Sequence, residues 1–399
     1  MPELLTVEQA LAHVLAHAET LPTETVALDD AFGRVLREPA RSAVDLPPFP
    51  SSAMDGFALR AVDTPGDLPI AFRIAAGAAP PGPVPAGAAA GIATGGTVPE
   101  GADAIVPIEV VEDHGDRLIV PGEVVRGQHI RPRGGDVGAG EIVVDPGAGL
   151  GAVQIGALAA AGVPTLVCSV RPRVAILATG DELRSPGDAL EPGQIYESNR
   201  RMIAAALVGS GAVTDVLPVS PDDEVAHRAA IERGLEADVL VTSGGVSMGP
   251  HDLVRRVAAE LGVEEIFWGV AVKPGKPLAF GVRGSTLVFG LPGNPVSSLV
   301  GALLFVVPAL RALQGASGPA PRFERGMLGS AARRNPNRDD FQRARLELDG
   351  DRAVLLPIEG QESHMIVRAA AADALVHVPR GKGELAAGTE ARYLSLGDA

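Results

Sequence analysis

Three turns rich in glycine and small polar residues, each at the end of an apolar run, carry the clearest potential for chemistry in this chain. Thr179-Gly180-Asp181-Glu182-Leu183 follows the run Val174–Ala178. Ser243-Gly244-Gly245-Val246-Ser247-Met248-Gly249, with Asp252 just beyond, follows Val239–Thr242. Leu291-Pro292-Gly293-Asn294-Pro295-Val296-Ser297-Ser298 follows Thr286–Phe289 and opens a helical pattern. Glycine lets backbone N–H groups approach a ligand closely, and a helix N-terminus attracts anions, so two of these turns suit a phosphate or an oxyanion. Asp181, Glu182 and Asp252 add the oxygen ligands that Mg²⁺ takes. Any one such turn is ordinary loop geometry; three in succession point to a site. A fourth turn, Lys273-Pro274-Gly275-Lys276-Pro277, holds two cations close together. It suits a tetrahedral dianion, or is simply a pair of solvated lysines. No Ser–His–Asp arrangement and no Walker loop accompanies these turns, which leaves metal-assisted handling of a phosphorylated ligand.

The elements that position these turns follow from hydrophobic periodicity. From residue 173 the chain alternates strand and helix. Strands are expected at Val174–Ala178, Thr214–Val219, Val239–Thr242, Glu265–Val272 and Thr286–Phe289, with helices at Arg200–Gly209, Asp223–Gly234, Leu253–Leu261 and Val296–Leu313. Continuous apolar strands between helices predict a parallel sheet covered on both faces, with ligands beyond the carboxyl ends of its strands. That rule places all four turns on one edge. Ahead of this unit, Thr6 and Gln9 form a capping box before a helix carrying Ala10, Leu11, Val14, Leu15 and Ala18 on one stripe. Residues 41–140 read as a small β domain with strands at Ile70–Ile74, Ala104–Val111 and Arg117–Val120, a hairpin turn at Asp113–Asp116, and a structureless Ala75–Pro99 loop. Its polar turns are Ser51–Ala58, Thr94–Thr97 and Arg133–Asp136. Asp55 and Asp136 read as turn or cap residues, Asp55 standing apart for its small apolar neighbours. A helix is expected at Leu150–Ala161. After the Gly315–Pro321 linker, short strands at Arg343–Leu348, Ala353–Pro357 and Ala374–Val378 suggest a small β barrel or sandwich.

Composition narrows the function classes. Lys+Arg 34 against Asp+Glu 49 gives −15, and only 3% of residues are aromatic, so the chain lacks the basic surface and stacking rings of a nucleic-acid binder. Cys168 is the single cysteine. It excludes intrachain disulfides, zinc ribbons and iron–sulfur clusters, and reads as a small buried apolar residue. The 8 histidines show no metal-ligand spacing and are expected at the surface, as is the basic Arg333–Arg345 run. The N-terminus lacks the pattern of a signal peptide. Pro146–Val170 is broken by glycines, and Val296–Leu310 is shorter than the roughly 20 residues of a membrane span. A soluble, cytoplasmic protein is expected.

Taken together, Ser52-Ala53-Met54-Asp55-Gly56-Phe57-Ala58, Thr94 with Val98–Asp103, Thr179–Leu183, Pro192–Arg200, Ser243–Gly249, Lys273–Pro277, Leu291–Ser298 and Gly360–His364 resemble the MoeA family, molybdopterin molybdenumtransferases related to the E domain of gephyrin. The segments occur in the family's order over nearly the whole chain; Phe57 stands where Tyr is frequent. The resemblance implies an α/β multidomain subunit. Its parts are an extended linker domain (1–40 with 141–170), a small β domain (41–140), a molybdopterin-binding α/β domain (171–315) and a C-terminal β barrel (321–399). It further implies a homodimer whose cleft lies between the α/β domain of one subunit and the β domain of the other. The implied reaction inserts molybdate into adenylylated molybdopterin with release of AMP, using Mg²⁺. By the resemblance, Asp55, Thr94, Asp136, Glu182, Asp222 and Asp252 are catalytic, and Asp181, Glu182 and Asp252 hold the metal. Substrate binding falls to Ser243, Gly244, Gly245, Ser247, Gly249, Asn199, Arg200, Lys273, Lys276, Pro292, Gly293, Asn294, Pro295 and Ser297. Implied partners are the molybdopterin adenylyltransferase and the apoproteins of molybdoenzymes, with no nucleic acid and no membrane. The alternatives are the adenylyltransferase itself and a gephyrin-like scaffold.

Overall fold

A computed structural model describes residues 4–75, 77–245 and 253–397. The central unit is a six-stranded sheet built from β1 (Arg173–Ala178), β2 (Val213–Val216), β3 (Val239–Ser243), β4 (Glu264–Trp268), β5 (Ala279–Arg283) and β6 (Thr286–Leu291), in the order β2-β1-β3-β6-β5-β4. The helices are α1 (Asn199–Val208), α2 (Glu224–Gly234), α3 (Leu253–Glu260) and α4 (Pro295–Leu313). Side chains alternate across the pleat and feed two cores. Val174, Ile176, Val239 and Val241 pack with residues of α1 and α4. Ala175, Leu177 and Leu240 pack with Ile231 of α2 and Val254 and Val257 of α3.

The sheet is not wholly parallel. β5 pairs antiparallel with both β6 and β4, while β1, β2, β3, β6 and β4 share one direction. The expected strand Glu265–Val272 ends at Trp268. Val272–Lys273 instead pairs parallel with Asp339–Asp340 of the C-terminal domain. Gly269, at φ +90, turns the chain out of the sheet. Ala279–Arg283, the antiparallel strand that went unforeseen, reads as ordinary short apolar sequence between prolines and Gly284. Thr214–Val219 likewise ends early, at Val216.

α4 is a 19-residue apolar helix with a π-helical stretch at Ala302–Val306, long enough to cross a membrane, which corrects the expectation from its length. It is buried in the core of the α/β unit, from Val296 to Leu313. The N-terminal helix Val7–His17, capped by Thr6 and Gln9 as expected, buries Ala10 and Val14 in that same core. Residues 23–41 and 142–169 form a connecting unit. Thr23–Ala27 pairs with Thr165–Ser169 and Ala40–Arg41 with Ile142–Val144, around a small core that holds the buried Cys168.

The β domain is a six-stranded sheet in the order Ala104–Pro107, Gly56–Leu59, Ala89–Ile92, Gly66–Ile74, Arg117–Val120, Glu112–Asp113. Ala89–Ile92 is fully buried at its centre, so the Ala75–Pro99 stretch is not all loop. Its Ala-Ala-Gly-Ile sequence has neither alternation nor β-branched content before Ile92, because small residues suffice where two strands flank it closely. Ala104–Val111 is a strand only to Pro107, then a 3₁₀ turn. In the C-terminal domain Asp339–Asp349, Arg352–Pro357, Glu324–Leu328, Glu390–Ser395 and Ala374–Val378 pair in sequence, and Asp339–Asp349 closes on Ala374–Val378. It is a barrel. The basic run is only partly a solvated face: Arg333 and Arg345 are exposed, but Asp339 to Arg343 are buried, and Arg343 is 1% exposed.

Candidate functional site

The carboxyl ends of β1, β3 and β6 open into a cleft of about 860 Å³. Its walls include Thr179, Gly180 and Glu182 after β1, Ser243, Gly244 and Gly245 after β3, and Gly293, Asn294 and Pro295 where β6 passes into α4. Tyr196, Asn199, Asp222 and His227 complete the α/β side, and His364 and Ile366 reach over from the barrel. The three turns expected from the sequence thus converge on one cleft. Ser247, Gly249 and Asp252 lie outside the described residues.

Asn199 ties two of the turns together. Its Nδ2 donates to Ser243 Oγ at 2.8 Å and to the Gly293 carbonyl at 2.7 Å. Ser298 Oγ donates to the Pro292 carbonyl from within α4. Gly245 sits at φ +65, and a Cβ there would lie 2.3 Å from Cγ2 of Val254. The site therefore needs glycine twice over, for the left-handed backbone and for the approach of α3.

Carboxylates gather on the β1 side. Asp181 Oδ1 accepts the Asp222 N–H at 3.0 Å, and Glu182 and Asp222 are exposed in the cleft wall. Among the described residues no group of three His, Cys, Asp or Glu side chains forms a metal cage. Exposed carboxylates beside a ligand-sized cleft do fit Mg²⁺, which keeps waters and shares phosphate oxygens rather than filling an all-protein site.

Other expected residues lie elsewhere. Arg200 is buried, donating to the Leu217 carbonyl and pairing with Glu197 at 3.1 Å. It holds the fold of the 197–217 segment and does not line the cleft. Lys273 pairs with Asp340 at 2.9 Å, and Lys276 has no ion-pair partner among the described residues. A Cβ at Gly275 would sit 3.5 Å from the Ser297 carbonyl, so the two-lysine turn abuts the first turn of α4, where Ser297 is 3% exposed. Pro292, Lys273, Lys276 and Ser297 are not part of the cleft lining.

The polar turns of the β domain also meet. Ser52 N–H donates to the Gly96 carbonyl, Gly95 N–H to that of Ser52, and Ser51–Ser52 pairs with Ile130–Arg131. Asp55 Oδ1 accepts both the N–H and the Oγ1 of Thr94, at 2.6 and 2.9 Å. The backbone N–H bond, then the hydroxyl bond, hold its carboxyl below the usual carboxylate range. Asp136 is exposed nearby, its N–H bonded to the Leu46 carbonyl at 2.9 Å. None of Asp55, Thr94 and Asp136 lines the cleft of its own chain.

Sequence reasoning missed two histidines and an arginine. His227 and His377 are buried, not at the surface. Arg343 donates to the carbonyls of Gly360, Glu362 and Met365 at 2.6, 3.2 and 2.7 Å. It thereby fixes the turn that carries His364 to the cleft. The single signal for Arg343 was its place in a strand that opens with Asp339 and Asp340, both buried.

Comparison with known proteins adds the family. Residues 5–162 match the MoeA N-terminal region (domain I and II), 175–312 a probable molybdopterin binding domain, and 325–396 the MoeA C-terminal region (domain IV). The chain is 36% identical to molybdopterin molybdenumtransferase 2 of Mycobacterium tuberculosis, covering 93% of this chain and 95% of that one. It is 34% identical to the molybdopterin molybdenumtransferase of Haemophilus influenzae, over 96% and 97% of the two chains. The crystal structure of the molybdopterin biosynthesis moeA protein from Pyrococcus horikoshii OT3 superposes with a TM-score of 0.84 at 28% identity, over 98% of this chain and 100% of that one.

Proposed function

The chain belongs to the MoeA family of molybdopterin molybdenumtransferases, and from that premise we propose how its cleft acts. The function is molybdenum insertion in molybdenum cofactor biosynthesis. The observation that carries the assignment to this cleft is the convergence of three strand-end turns inside the matched molybdopterin-binding region. The substrates are adenylylated molybdopterin and molybdate, and AMP leaves. Gly245 presents its backbone N–H to the ligand, while the Gly244 N–H, bonded to the Leu291 carbonyl at 3.0 Å, joins Ser243 and Asn199 in holding the turns at fixed spacing. Asp181, Glu182 and Asp252 would hold Mg²⁺, which would supply charge neutralisation at the pyrophosphate. Lys273, Lys276 and Ser297 gather molybdate beside the helix N-terminus, Asp340 keeping the Lys273 ammonium in place from the barrel.

Asp55, Thr94 and Asp136 act from the second subunit of a homodimer. This reading is supported by the exposure of all three, the hydrogen bonds between Asp55 and Thr94, and the absence of all three from the lining of their own chain's cleft. An adenylyltransferase needs neither the β domain nor the barrel, and a scaffold needs no ordered acidic cleft. The enzyme works in the cytoplasm, with the adenylyltransferase and the apoproteins of molybdoenzymes as exchange partners.

Subunit mixing tests the cross-subunit site. Asp55→Ala and Glu182→Gln homodimers are each expected to be nearly inactive. In a heterodimer one cleft carries both lesions and the other neither, so statistical exchange restores about a quarter of wild-type turnover. Verified heterodimers with no regained turnover would place the whole site within one chain.

A further inference from the structure

His227 occupies an unusual position on the wall of the cleft. It lies one turn into α2, is 2% exposed, and lines the cleft beside Asp222 and Val254. Neither ring nitrogen has a hydrogen-bond partner among the described residues. Nε2 lies 3.7 Å from Asp222 Oδ1, just beyond hydrogen-bond reach. The core around it, Ile231, Leu235 and Val254, is apolar, and a leucine would pack there without leaving polar atoms unpaired. A buried imidazole with both nitrogens orphaned is costly, and such groups persist where function requires them. The Asp222 side chain is 55% exposed and its carboxylate accepts no hydrogen bond among the described residues. Its backbone alone is fixed, through Asp181. The carboxylate is therefore free to rotate, and a shift of under about one ångström brings it within reach of Nε2.

We propose that His227 is the positioning residue for Asp222. When ligand fills the cleft, a neutral His227 donates Nε2–H to the Asp222 carboxylate and fixes its orientation toward the substrate, without neutralising its charge. Closing the cleft excludes water, and the bond then gains strength in the drier surroundings. Arg256, the cation of α3 that lines the same cleft, pairs with Glu224 at 2.5 Å and leaves Asp222 to the imidazole. The inference rests on the proposed role of this cleft in turnover.

The test is a double-mutant cycle read by AMP release from adenylylated molybdopterin, with thermal unfolding followed in parallel. His227→Leu is expected to lower kcat about tenfold, the kinetic equivalent of one charge-assisted hydrogen bond, with KM little changed. Its melting temperature is expected to stay level or rise, because orphaned polar atoms are replaced by apolar ones. His227→Gln, which keeps a donor, should recover most of kcat. Combined with Asp222→Asn, the His227→Leu loss should vanish, because His227 acts through that carboxylate. Full kcat in His227→Leu, or losses that multiply in the double variant, would overturn the inference while leaving the cleft assignment intact. Full activity in Asp222→Asn would overturn the role of Asp222 and this inference with it. Should His227→Leu fail to fold, ¹⁵N-histidine spectra of the wild-type protein decide. The Nε2–H must become protected from exchange on addition of adenylylated molybdopterin, and an unprotected signal refutes the bond.

Discussion

Replacing Asn199 by leucine removes the clamp between two ligand-facing turns while keeping side-chain size. Two donations from Nδ2 are lost, to Ser243 Oγ and to the Gly293 carbonyl. Ser243 Oγ keeps the Pro292 carbonyl at 3.4 Å as a partner, so its loss is about 1 kcal/mol. The Gly293 carbonyl has no second donor among the described residues, and stranding it adds roughly 1–3 kcal/mol. The sum, roughly 2–4 kcal/mol, corresponds to a fall of roughly 7–13 °C in the melting temperature of a domain of this size. Trp268 is the only tryptophan and sits on edge strand β4 of this sheet. Its fluorescence therefore follows the α/β domain without signal from the barrel or the β domain. The same change should raise KM for adenylylated molybdopterin more than it lowers kcat, because the turns lose their fixed spacing. An Asn199→Leu protein that melts within about 2 °C of wild type by Trp268 fluorescence would refute the clamp.

Gly245→Ala combines a left-handed backbone with a Cβ 2.3 Å from Val254 Cγ2, and should cost roughly 2–5 kcal/mol by the same fluorescence assay; unchanged stability would mean that α3 can retreat. Ala for both Lys273 and Lys276 should raise half-saturating molybdate at least about tenfold while sparing pterin affinity; an unchanged molybdate dependence would move the oxyanion site elsewhere. Burial holds His227 and His377 below the ordinary value of 6.5, against the pull of Asp222 on the first and Asp339 on the second. Their folded-state values are depressed, so this stability is complete above the unfolded value and is lost as pH falls below 6.5 through the folded values. The urea midpoint should therefore decline on acidification from about pH 7 to about pH 5, and a flat profile would contradict it. Tyr393 is pushed up to about 12 by burial and by the Glu324 carboxylate that accepts its hydroxyl. Its stabilising contribution is complete below pH 10.0 and lost through about 12, so ultraviolet titration should show a tyrosinate transition at about 12 that Tyr393→Phe removes; no such transition would refute the Glu324 contact.

The strands and turns that make the cleft were legible because their residues answer to local rules. Val174–Ala178 and Val239–Thr242 are continuous apolar runs ended by glycine, and a sheet covered on both faces leaves little else for them to be. The elements that escaped depend on distant partners. Ala89–Ile92 becomes a strand because Gly56–Leu59 and Gly66–Ile74 flank it, and nothing in Ala-Ala-Gly-Ile announces this. Val272–Lys273 leaves the sheet because the barrel strand from Asp339 captures it. Within the site, Glu182, Asn199 and Asp222 line the cleft as expected. Arg200 was legible as polar and close in sequence, but its buried ion pair with Glu197 is visible only once the helix is folded. His227 was hidden for the same reason. A histidine five residues past Asp222 on a polar helix reads as surface until α3 and β3 close over it.

The most direct measurement is AMP release from adenylylated molybdopterin by the wild-type protein and by Glu182→Gln, at saturating molybdate and Mg²⁺. The account predicts molybdate-dependent AMP release by the wild type. It predicts a folded Glu182→Gln protein slowed about a hundredfold, because the amide keeps the side chain's shape and loses the charge that faces the cleft. No AMP from the wild type, or equal rates from both proteins, would contradict the assignment of catalysis to this cleft.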